Sequence, residues 1–522
     1  MRHLTLVPAS ALPARDVFGR DQNPRDYRRY LGQTRDHLAW DASGGLYPNA
    51  FAALAATLGD GHDLALHLPD HYPDGDPDHL RLLDYGEAVS ACRDHFNARL
   101  RRLIAATSDT TSASRPDNIE HSTQPQIILG RRGRGKTTRL AAKIRWLGEH
   151  KTIPLPCTGP MENAVRFPWV PDAGEGKGLP MKKADAFFME TRGGGVKNRA
   201  ATHHKPRAET ARILVITPYR SNLERLRALL PDAANCLFLP PDDALNRLPP
   251  AAHLIIDEAA SIPPAQLLAL TAHYPAYTLA ATEDGYEGNG RAFSLHVLPA
   301  LIARDTARIY RHQHALRHAH HDPLEQVLEN AFLLHPASPT PPAPSIIRRI
   351  SRRERAADET LLRACYGLLH QAHYRTSPED LKQLLDLPGQ SLYIAASGAE
   401  VAGVLHIRHE SPLPADLAAA VIRGERRPQG RLLLQQLLFH TQNPAYNQPL
   451  ARISRIAVHA AHRRQGIAAA LIAHARADIA TPLGVSYGHS DDLAAFWQAL
   501  GFREIHRSAS GKARPTSLRL CP

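Results

Sequence analysis

The stretch QIILGRRGRGKT, residues 126–137, decides the fold of the middle of the chain. The apolar run from Ile127 to Leu129 predicts a strand, and the residues after Thr137 have the apolar spacing of a helix. Between them stands the pattern G-x-x-x-x-G-K-T, whose glycines let backbone N–H groups surround a phosphate at a helix N-terminus. The stretch therefore predicts a phosphate-binding loop at one strand of a parallel α/β sheet.

The loop residues have separate predicted roles in holding a nucleotide and Mg²⁺. Lys136 is expected to reach the β- and γ-phosphates, and Thr137 to ligate Mg²⁺. The apolar strand Leu254–Ile256 ends in two acids, of which Asp257 would hold the metal shell and Glu258 would activate the attacking water. The remaining predicted nucleotide-binding residues are Gly130, Arg131, Arg132, Gly133, Arg134, Gly135, Thr138 and Arg291.

Two of these interpretations have alternatives. A chance Gly-rich turn beside a solvated acidic pair could mimic the two motifs, but their order within one β/α block disfavours it. Arg291 ends the segment TEDGYEGNGR, which starts at Thr282 after a predicted strand, where a γ-phosphate sensor would lie. A Gly-rich surface turn is an equal interpretation of that segment.

Strands and helices alternate on both sides of the loop. Strands are predicted at 126–129, 213–217, 254–256 and 278–281, with helices between them, one of which spans 138–147. This alternation is typical of a parallel sheet covered by helices. Residues 152–210 interrupt the pattern without periodicity. Eight of the ten lysines lie between Lys136 and Lys205, so this segment is interpreted as a basic insertion.

The blocks on either side are shorter. The N-terminal block combines weakly patterned residues 1–30 with a strand at 64–68 and a helix at 85–107, and a polar linker follows at 108–124. The Pro-rich stretch 336–344 separates the last block. That block is predicted to be a mixed α+β domain with a helix at 359–370, a helix from 465, and strands at 391–396, 401–406, 453–458 and 517–520.

The last block contains the pattern R-x-x-G-x-A, which opens an apolar helix. Successive N–H groups at a helix N-terminus bind a diphosphate, and Gly466 permits its close approach. With the strand before it and FWQALGF (496–502) after it, the pattern resembles the CoA turn of GNAT-type acetyltransferases. An ordinary basic helix cap is the alternative. The predicted CoA-binding residues are Ile456, Ala457, Val458, Arg463, Arg464, Gln465, Gly466, Ile467, Ala468 and Ala469.

Composition limits the other possibilities. A chain of 522 residues is too long for a single hydrophobic core. It has 63 Lys+Arg and 51 Asp+Glu, which gives a net charge of +12. This charge suits a nucleic-acid partner, and a genome bias towards Arg is the alternative explanation. No apolar run approaches a bilayer span, and no secretion signal is visible. Five scattered cysteines form no C-x-x-C, so a cytoplasmic location is expected. The histidines of RHQHALRHAHH (311–321) are interpreted as a solvated helix face.

Several motifs occur together in the order found in one family. Besides the phosphate loop, the chain has DEAASIP (257–263), GYEGNGR (285–291), AHYRTSP (372–378), RPQG (427–430), SRIAVH (454–459) and VSYG (485–488). This set resembles the bacterial tRNA(Met) cytidine acetyltransferases over about residues 35–110, 125–150 and 212–522. The resemblance implies acetylation of the exocyclic 4-amino group of the wobble cytidine of elongator tRNA(Met), with acetyl-CoA as donor and ATP or GTP hydrolysis coupled to it.

The resemblance also implies roles and exposes departures. His459 is the candidate base, with a merely loop-shaping His as the alternative, and Tyr487 is a weaker candidate for protonating the thiolate. The family's first strands are expected to be missing or replaced, and no adenine-reading Gln is found upstream of the loop. The CoA turn lacks an Arg, and Asp492 and Ala499 stand where the family has Glu and Arg. The chain stops before the family's tRNA-binding tail, so the Lys-rich insertion is expected to grip RNA.

The predicted architecture is a multidomain α/β chain. A small, shortened N-terminal α/β domain spans 1–108, a P-loop NTPase parallel sheet with helicase-like character spans 109–340, and a GNAT-type α+β acetyltransferase domain spans 345–522. The expected cofactors are ATP (or GTP), Mg²⁺ and acetyl-CoA, and the expected partner is tRNA, with no membrane and no obligate protein partner. The alternatives are an ATP-driven RNA remodeller without acetyl transfer and a protein or amine acetyltransferase with a regulatory ATPase.

Overall fold

The chain folds around three β-sheets. The computed structural model describes residues 1–31, 33–106, 122, 124–130, 136–149, 213–230, 235–282, 293–305, 307–312, 322–334, 336, 339–372, 376–508 and 516–521. Two of the sheets are parallel and the third is mixed. Within the described part of the chain, no helix has the length and apolar character that crossing a bilayer requires.

The first sheet is parallel and four-stranded, in the order β1-β4-β3-β2. Its strands are β1 (Leu4–Leu6), β2 (Val17–Phe18), β3 (Leu38–Asp41) and β4 (Leu64–His67), and its helices are α1 (Pro48–Ala55) and α2 (His95–Ala105). The strand predicted at 64–68 is confirmed. Residues 1–30 supply two of these strands, β1 and β2, which are too short to leave a periodic pattern. The expected loss or replacement of the family's first strands stays a prediction.

The helix predicted from residue 85 begins ten residues later, at His95. The intervening residues are occupied by other contacts. The Tyr85 N–H donates to the Gln429 carbonyl oxygen at 2.9 Å, in the last third of the chain. Gly86 has φ +80°, which a helix excludes. A tertiary contact therefore overrides the helical pattern in this stretch.

The second sheet is parallel and six-stranded, in the order β10-β5-β9-β8-β6-β7. Its strands are β5 (Gln126–Gly130), β6 (Ile213–Ile216), β7 (Cys236–Leu239), β8 (His253–Ile256), β9 (Tyr277–Ala281) and β10 (Arg308–His312). The helices of this region are α3 (Lys136–Glu149), α4 (Arg220–Ala228), α5 (Pro241–Arg247), α6 (Pro264–His273), α7 (Leu298–Arg304) and α8 (Pro323–Phe332). Apolar clusters cover both faces, which explains the continuous apolar strands. The four predicted strands are confirmed; β7 and β10 were not predicted.

The third sheet has seven strands, in the order β11-β12-β13-β14-β15-β17-β16. They are β11 (Ile346–Ile350), β12 (Gln390–Ser397), β13 (Glu400–Glu410), β14 (Leu450–Val458), β15 (Leu483–Gly488), β16 (Arg503–Arg507) and β17 (Thr516–Cys521). Its helices are α9 (Arg352–Ala357), α10 (Glu359–Ala372), α11 (Pro378–Asp386), α12 (Ala415–Ile422), α13 (Leu432–Thr441), α14 (Ile467–Asp478) and α15 (Asp491–Ala499). All neighbours are antiparallel except β14 and β15. The predicted mixed α+β block is confirmed.

The first and third sheets share one hydrophobic core. A single cluster of buried side chains runs from Trp40 and Phe51 to Tyr366 and Ile394. Helix α8 belongs to this core although it follows the second sheet along the chain. The buried carboxylate of Asp322 caps α8 and accepts hydrogen bonds from the guanidinium of Arg2.

A buried charge cluster reinforces this junction. Lys382 on α11 contacts Asp78 at 2.9 Å and Asp76 at 2.5 Å, and all three side chains are fully buried. Burial alone would raise the pKa of Asp78, but the charges of Lys382 and Arg81 outweigh it and lower that pKa. Nearby, the Asp386 carboxylate accepts from the Phe96 N–H at 3.0 Å. Charge pairing, as well as apolar packing, therefore joins the N-terminal sheet to the third sheet.

Candidate nucleotide and acyl-CoA sites

The phosphate-loop motif, which carries Thr137, and the acidic motif, which carries Asp257, meet at the carboxyl ends of β5 and β8. The Thr137 hydroxyl donates to Asp257 Oδ2 at 3.0 Å, 120 residues apart in sequence. Asp257 is fully buried, and its own N–H donates to the Ile216 carbonyl oxygen at 3.0 Å, which extends the strand pairing into the site. Burial, assisted by the neighbouring charge of Glu258, raises the pKa of Asp257 above its usual range. The carboxylate is thus desolvated, as a cation ligand would be.

Lys136 and Glu258 complete the described part of this site. Lys136 is the first residue of α3, and its Nζ donates to the Gly130 carbonyl oxygen at 2.8 Å across the loop. Glu258 adopts a left-handed backbone with φ +51°, and its Oε2 accepts from the Thr282 hydroxyl at 3.1 Å. That hydroxyl was not predicted. Its position after strand β9, next to β8 in the sheet, is the sequence signal that identifies it.

Of the other predicted nucleotide residues, only Gly130 and Thr138 lie within the described part of the chain. Thr138 is exposed in the first turn of α3. Arg131 to Gly135 lie outside the described residues, and so do Arg291, the insertion 152–210 and most of the His-rich stretch 311–321. No group of three or more His, Cys, Asp or Glu side chains that could hold a metal occurs among the described residues. The metal prediction therefore depends on Thr137 and Asp257.

The predicted CoA strand lies beside an opening in the third sheet. β14 pairs with β15 only at Ala451–Leu483 and Arg452–Gly484, although β14 continues to Val458. On its other side β14 stays paired with β13, where Ile456, Ala457 and Val458 face Leu405, Val404 and Gly403. One edge of β14 thus diverges from β15, which leaves room for an extended chain to pair with the backbone.

The turn between β14 and α14 is held by its own side chains. The Arg463 Nε donates to the Val458 carbonyl oxygen at 3.3 Å, and the Gln465 Nε2 donates to that of Ala461 at 3.2 Å. Arg464 and Gly466 have φ of +61° and +81°. Gly466 precedes Ile467, the first residue of α14, and a Cβ at Gly466 would meet no atom within 4 Å.

This turn presents a helix N-terminus to open space. The first N–H groups of a helix have no partner inside it, so those at Ile467, Ala468 and Ala469 are available to an anion. The next one, at Ala470, donates to the Gly466 carbonyl oxygen at 2.9 Å. Gly403 on β13 lets α14 pack closely, since a Cβ there would lie 2.8 Å from the Ile467 side chain.

We expect Gly466→Glu to abolish CoA binding. A carboxylate at this position would occupy the open space and repel the diphosphate from the helix N-terminus. Isothermal titration calorimetry with CoA measures the effect. Gly398→Glu is the matched control, because Gly398 also has a positive φ, of +61°, and open space around its Cβ but lies in the β12–β13 turn. Normal CoA affinity in Gly466→Glu would refute this assignment.

His459 follows β14 directly and caps the short helical turn Ala460–His462. Its Nδ1 accepts from the Ala461 N–H at 3.3 Å, and its N–H donates to the Ala402 carbonyl oxygen at 2.9 Å. Because Nδ1 accepts here, the neutral ring carries its proton on Nε2. Proton uptake at Nδ1 requires release of this cap, so the geometry accommodates the loop-shaping role directly and the base role after a local rearrangement.

Tyr487 lies across the opening, on β15, and Asp492 follows in α15. The Tyr487 hydroxyl on β15 accepts from the Arg519 Nε at 3.0 Å, which leaves its own proton available to another acceptor. Arg519 is buried and also holds the Phe502 carbonyl oxygen at 3.1 Å. This arginine was not predicted, since a lone Arg in a C-terminal strand has no motif around it. Asp492 is exposed in the first turn of α15.

Three family models match the chain in consecutive segments. The RNA cytidine acetyltransferase NAT10/TcmA helicase domain matches residues 127–335, and the N-terminal domain of tRNA(Met) cytidine acetyltransferase TmcA matches residues 7–114. The acetyltransferase (GNAT) domain matches residues 389–504. Each segment contains one of the three sheets or most of it.

Curated relatives match nearly the whole chain. The tRNA(Met) cytidine acetyltransferase TmcA of Pectobacterium atrosepticum is 31% identical over 92% of this chain, which spans 66% of that protein's length. Those of Salmonella typhimurium and Citrobacter koseri are 31% and 32% identical, and the chain spans 68% and 69% of them. With three family models in the same order as the three sheets, the chain belongs to the tRNA(Met) cytidine acetyltransferase family.

Proposed function

We propose that this chain transfers the acetyl group of acetyl-CoA to the exocyclic 4-amino group of the wobble cytidine of elongator tRNA(Met), coupled to ATP hydrolysis. One observation carries the proposal. In this chain, which belongs to the family, the second sheet holds the Thr137–Asp257 contact and the third sheet has an opening between β14 and β15. The acceptor is proposed because the chain belongs to this family. A cytoplasmic location is proposed because tRNA is found there, and the free thiols of the described cysteines fit such a reducing compartment.

The nucleotide end of the reaction is assigned to the second sheet. Mg²⁺ prefers oxygen ligands, and Thr137 and Asp257 supply a hydroxyl and a desolvated carboxylate 3.0 Å apart, so these residues fit the ion. When bound, the ion supplies charge neutralisation at the phosphates. Lys136 would bind the phosphates, and Glu258, held by Thr282, would orient water. Gly130 to Thr138 and Arg291 are proposed as further nucleotide contacts.

The acetyl end is assigned to the third sheet. The open edge of Ile456–Val458 would pair with the pantetheine arm, and the turn Arg463–Ala469 would hold the diphosphate. Asp492, in the first turn of α15, is proposed as a further CoA contact. A cytosine amine is a poor nucleophile because its lone pair is delocalised into the ring, so positioning and proton removal are the contributions expected of the protein.

The proposed base, His459, is separable from the cap by mutation. Asn is a good N-cap residue but cannot take the proton, whereas Ala removes both functions. We expect His459→Asn to retain CoA affinity and lose acetyl transfer by about 10²-fold or more. Single-turnover acetylation of tRNA at saturating acetyl-CoA measures this. A rate in His459→Asn close to that of the unaltered chain, with loss only in His459→Ala, would assign His459 to the loop alone.

We propose that the chain has three functional domains. We propose an N-terminal domain at 1–108, an ATPase domain at 109–340 and an acetyltransferase domain at 345–522. Helix α8 lies within the proposed ATPase range, yet it packs in the core of the first sheet.

RNA contact is proposed for the arginine-rich surface in general, because a net charge of +12 favours phosphate binding.

Mass spectrometry tests the function directly. The purified chain is incubated with unmodified elongator tRNA(Met), acetyl-CoA and ATP, and the digested RNA is examined for acetylcytidine. We expect a product that disappears when ATP is omitted. ATP hydrolysis without acetylcytidine would favour an RNA remodeller, and acetylation that is indifferent to RNA would favour a protein or amine acetyltransferase.

A further inference from the structure

A polar cavity lies where the first and third sheets meet. It has a volume of about 440 Å³, within the range that holds a nucleoside-sized ligand. Residues 81–84 of the N-terminal block form one wall, and strands β13 and β14 form another. The cavity reaches β14 at Ser454 and Arg455, just beyond its last pair with β15, where the register with β13 also shifts. It therefore opens beside the proposed acetyl site.

The cavity is lined by charged side chains, one aromatic ring and several apolar side chains. Four arginines and three carboxylates line the cavity, together with Tyr366 and four leucines. Each of the four arginines is in an ion pair, and two of these pairs hold arginines of β13 and β14: Arg455 lies 2.7 Å from Asp380, and Arg408 lies 3.1 Å from Asp84. The second of these pairs joins the N-terminal block to β13. Such a surface suits a polar aromatic ring attached to a phosphate backbone.

His406 supplies a hydrogen-bond acceptor in this lining. The Gln390 Nε2 donates to the carbonyl oxygens of Gln383 at 2.8 Å and Leu387 at 3.0 Å. The amide oxygen of Gln390 must therefore be the atom that faces His406 Nε2 at 2.7 Å. Because an oxygen accepts, the His406 proton lies on Nε2, and Nδ1 carries a lone pair. Among the described residues, Nδ1 has no hydrogen-bond partner.

The ring stays neutral in this setting. Burial, followed by the charges of Arg408 and Arg455, holds the pKa of His406 well below its usual range. A neutral ring with Nε2 already donating has only one polar function left, acceptance at Nδ1. That function is complementary to an N–H donor and repels a carbonyl oxygen.

We propose that this cavity receives the acceptor nucleobase, and that His406 Nδ1 accepts an N–H of its exocyclic amine. The inference rests on the proposed function and names a recognition residue for it. Cytosine presents an amine at the position where uracil presents a carbonyl oxygen, so His406 distinguishes the two bases. The N-terminal block, through Arg81 to Asp84, completes the pocket and thereby takes part in base recognition.

The test compares two tRNA transcripts. Unmodified elongator tRNA(Met) with cytidine or with uridine at the wobble position is bound to the full chain in the presence of CoA, and dissociation constants are measured by filter binding. We expect cytidine to bind about tenfold more tightly than uridine, because cytidine forms one hydrogen bond with His406 where uridine would place two acceptors against each other. His406→Phe, which keeps a ring and removes the acceptor, is expected to bring the ratio to about one.

Two further variants keep the test decisive. His409→Phe alters a ring on the same strand but on its opposite face, where Nε2 bonds to the Ser391 hydroxyl at 2.8 Å, and is expected to keep the preference. His406→Gln can present either its amide oxygen or its amide N–H, so it is expected to bind both transcripts and to lose most of the preference.

Two binding results would overturn the inference: equal binding of both transcripts by the unaltered chain, or an unchanged preference in His406→Phe. A failure of the proposed function shows differently. In that case the unaltered chain forms no acetylcytidine although CoA binds and ATP is hydrolysed, and this result would end both proposals.

Discussion

Lys136→Ala should reduce tRNA-stimulated ATP hydrolysis by at least about a hundredfold. Lys136 is the one charged side chain described at the start of α3 that reaches back across the loop, to the Gly130 carbonyl oxygen. In the proposed role, its ammonium group would neutralise the charge that develops on the transferred phosphoryl group, and alanine would remove this contribution. Phosphate release in the presence of tRNA measures the effect.

Lys143→Met is the matched control for this experiment. Lys143 is a second buried lysine of the same helix, and its Nζ donates to the Ser122 carbonyl oxygen, away from the loop. Burial lowers the pKa of Lys143 to about 8, so an apolar side chain of similar length is tolerated there. Hydrolysis should persist in this variant. Undiminished hydrolysis in Lys136→Ala would contradict the phosphate-loop assignment.

The second large effect is expected on stability. Lys382→Met would remove the cation of the fully buried Asp76 and leave the fully buried Asp78 with Arg81 alone, and breaking a buried pair from one side costs about 3–5 kcal/mol. We expect the free energy of unfolding of the joined first and third sheets to fall by that amount. Urea-induced unfolding followed by tryptophan fluorescence measures it, because Trp40 is fully buried in the shared core.

Charge removal and pH provide the controls for this prediction. The triple variant Lys382→Met, Asp76→Asn, Asp78→Asn should recover much of the loss, since it contains no buried charge at these positions. In the unaltered chain the pKa of Asp78 is lowered, so its contribution is present at neutral pH and is lost as pH falls through the lowered folded-state pKa.

Lys382→Met removes the charge that opposes the effect of burial on the carboxylate pKa, although Arg81 still faces Asp78, so the deficit should shrink as pH falls toward 4. A deficit of less than about 1 kcal/mol at neutral pH would show that Lys382 contributes no more than a surface pair.

The sequence predicted those parts of the site that depend on local pattern. The strand before Gly130, the helix after Lys136 and the acidic end of β8 each follow from a few adjacent residues, and a parallel sheet brings such ends together. The Thr137–Asp257 contact is the result. Likewise, Gly466 is found before the first residue of α14 with a positive φ, as its position in R-x-x-G-x-A indicates.

The rest depended on contacts between distant parts of the chain. No local pattern relates Gln390 to His406, although the amide orientation of the first fixes the proton of the second. Lys382 in α11 shows the ordinary composition of a helix surface until Asp76 and Asp78 are placed against it. The loop at Tyr85 was predicted to be helical because its partner, Gln429, lies more than 300 residues away.

The topology of the second sheet has one more consequence. The chain enters that sheet at β5 and leaves it at β10, and these strands are neighbours, with Gln126 beside Arg308. Helix α8 then rejoins the core that Trp40 and Phe51 began. Among the described residues, the second sheet is therefore an inserted module whose entry and exit strands lie side by side. A shortened chain that joins residue 124 to residue 322 by a flexible linker retains every strand of the other two sheets, so we expect that the first and third sheets can be prepared without the second.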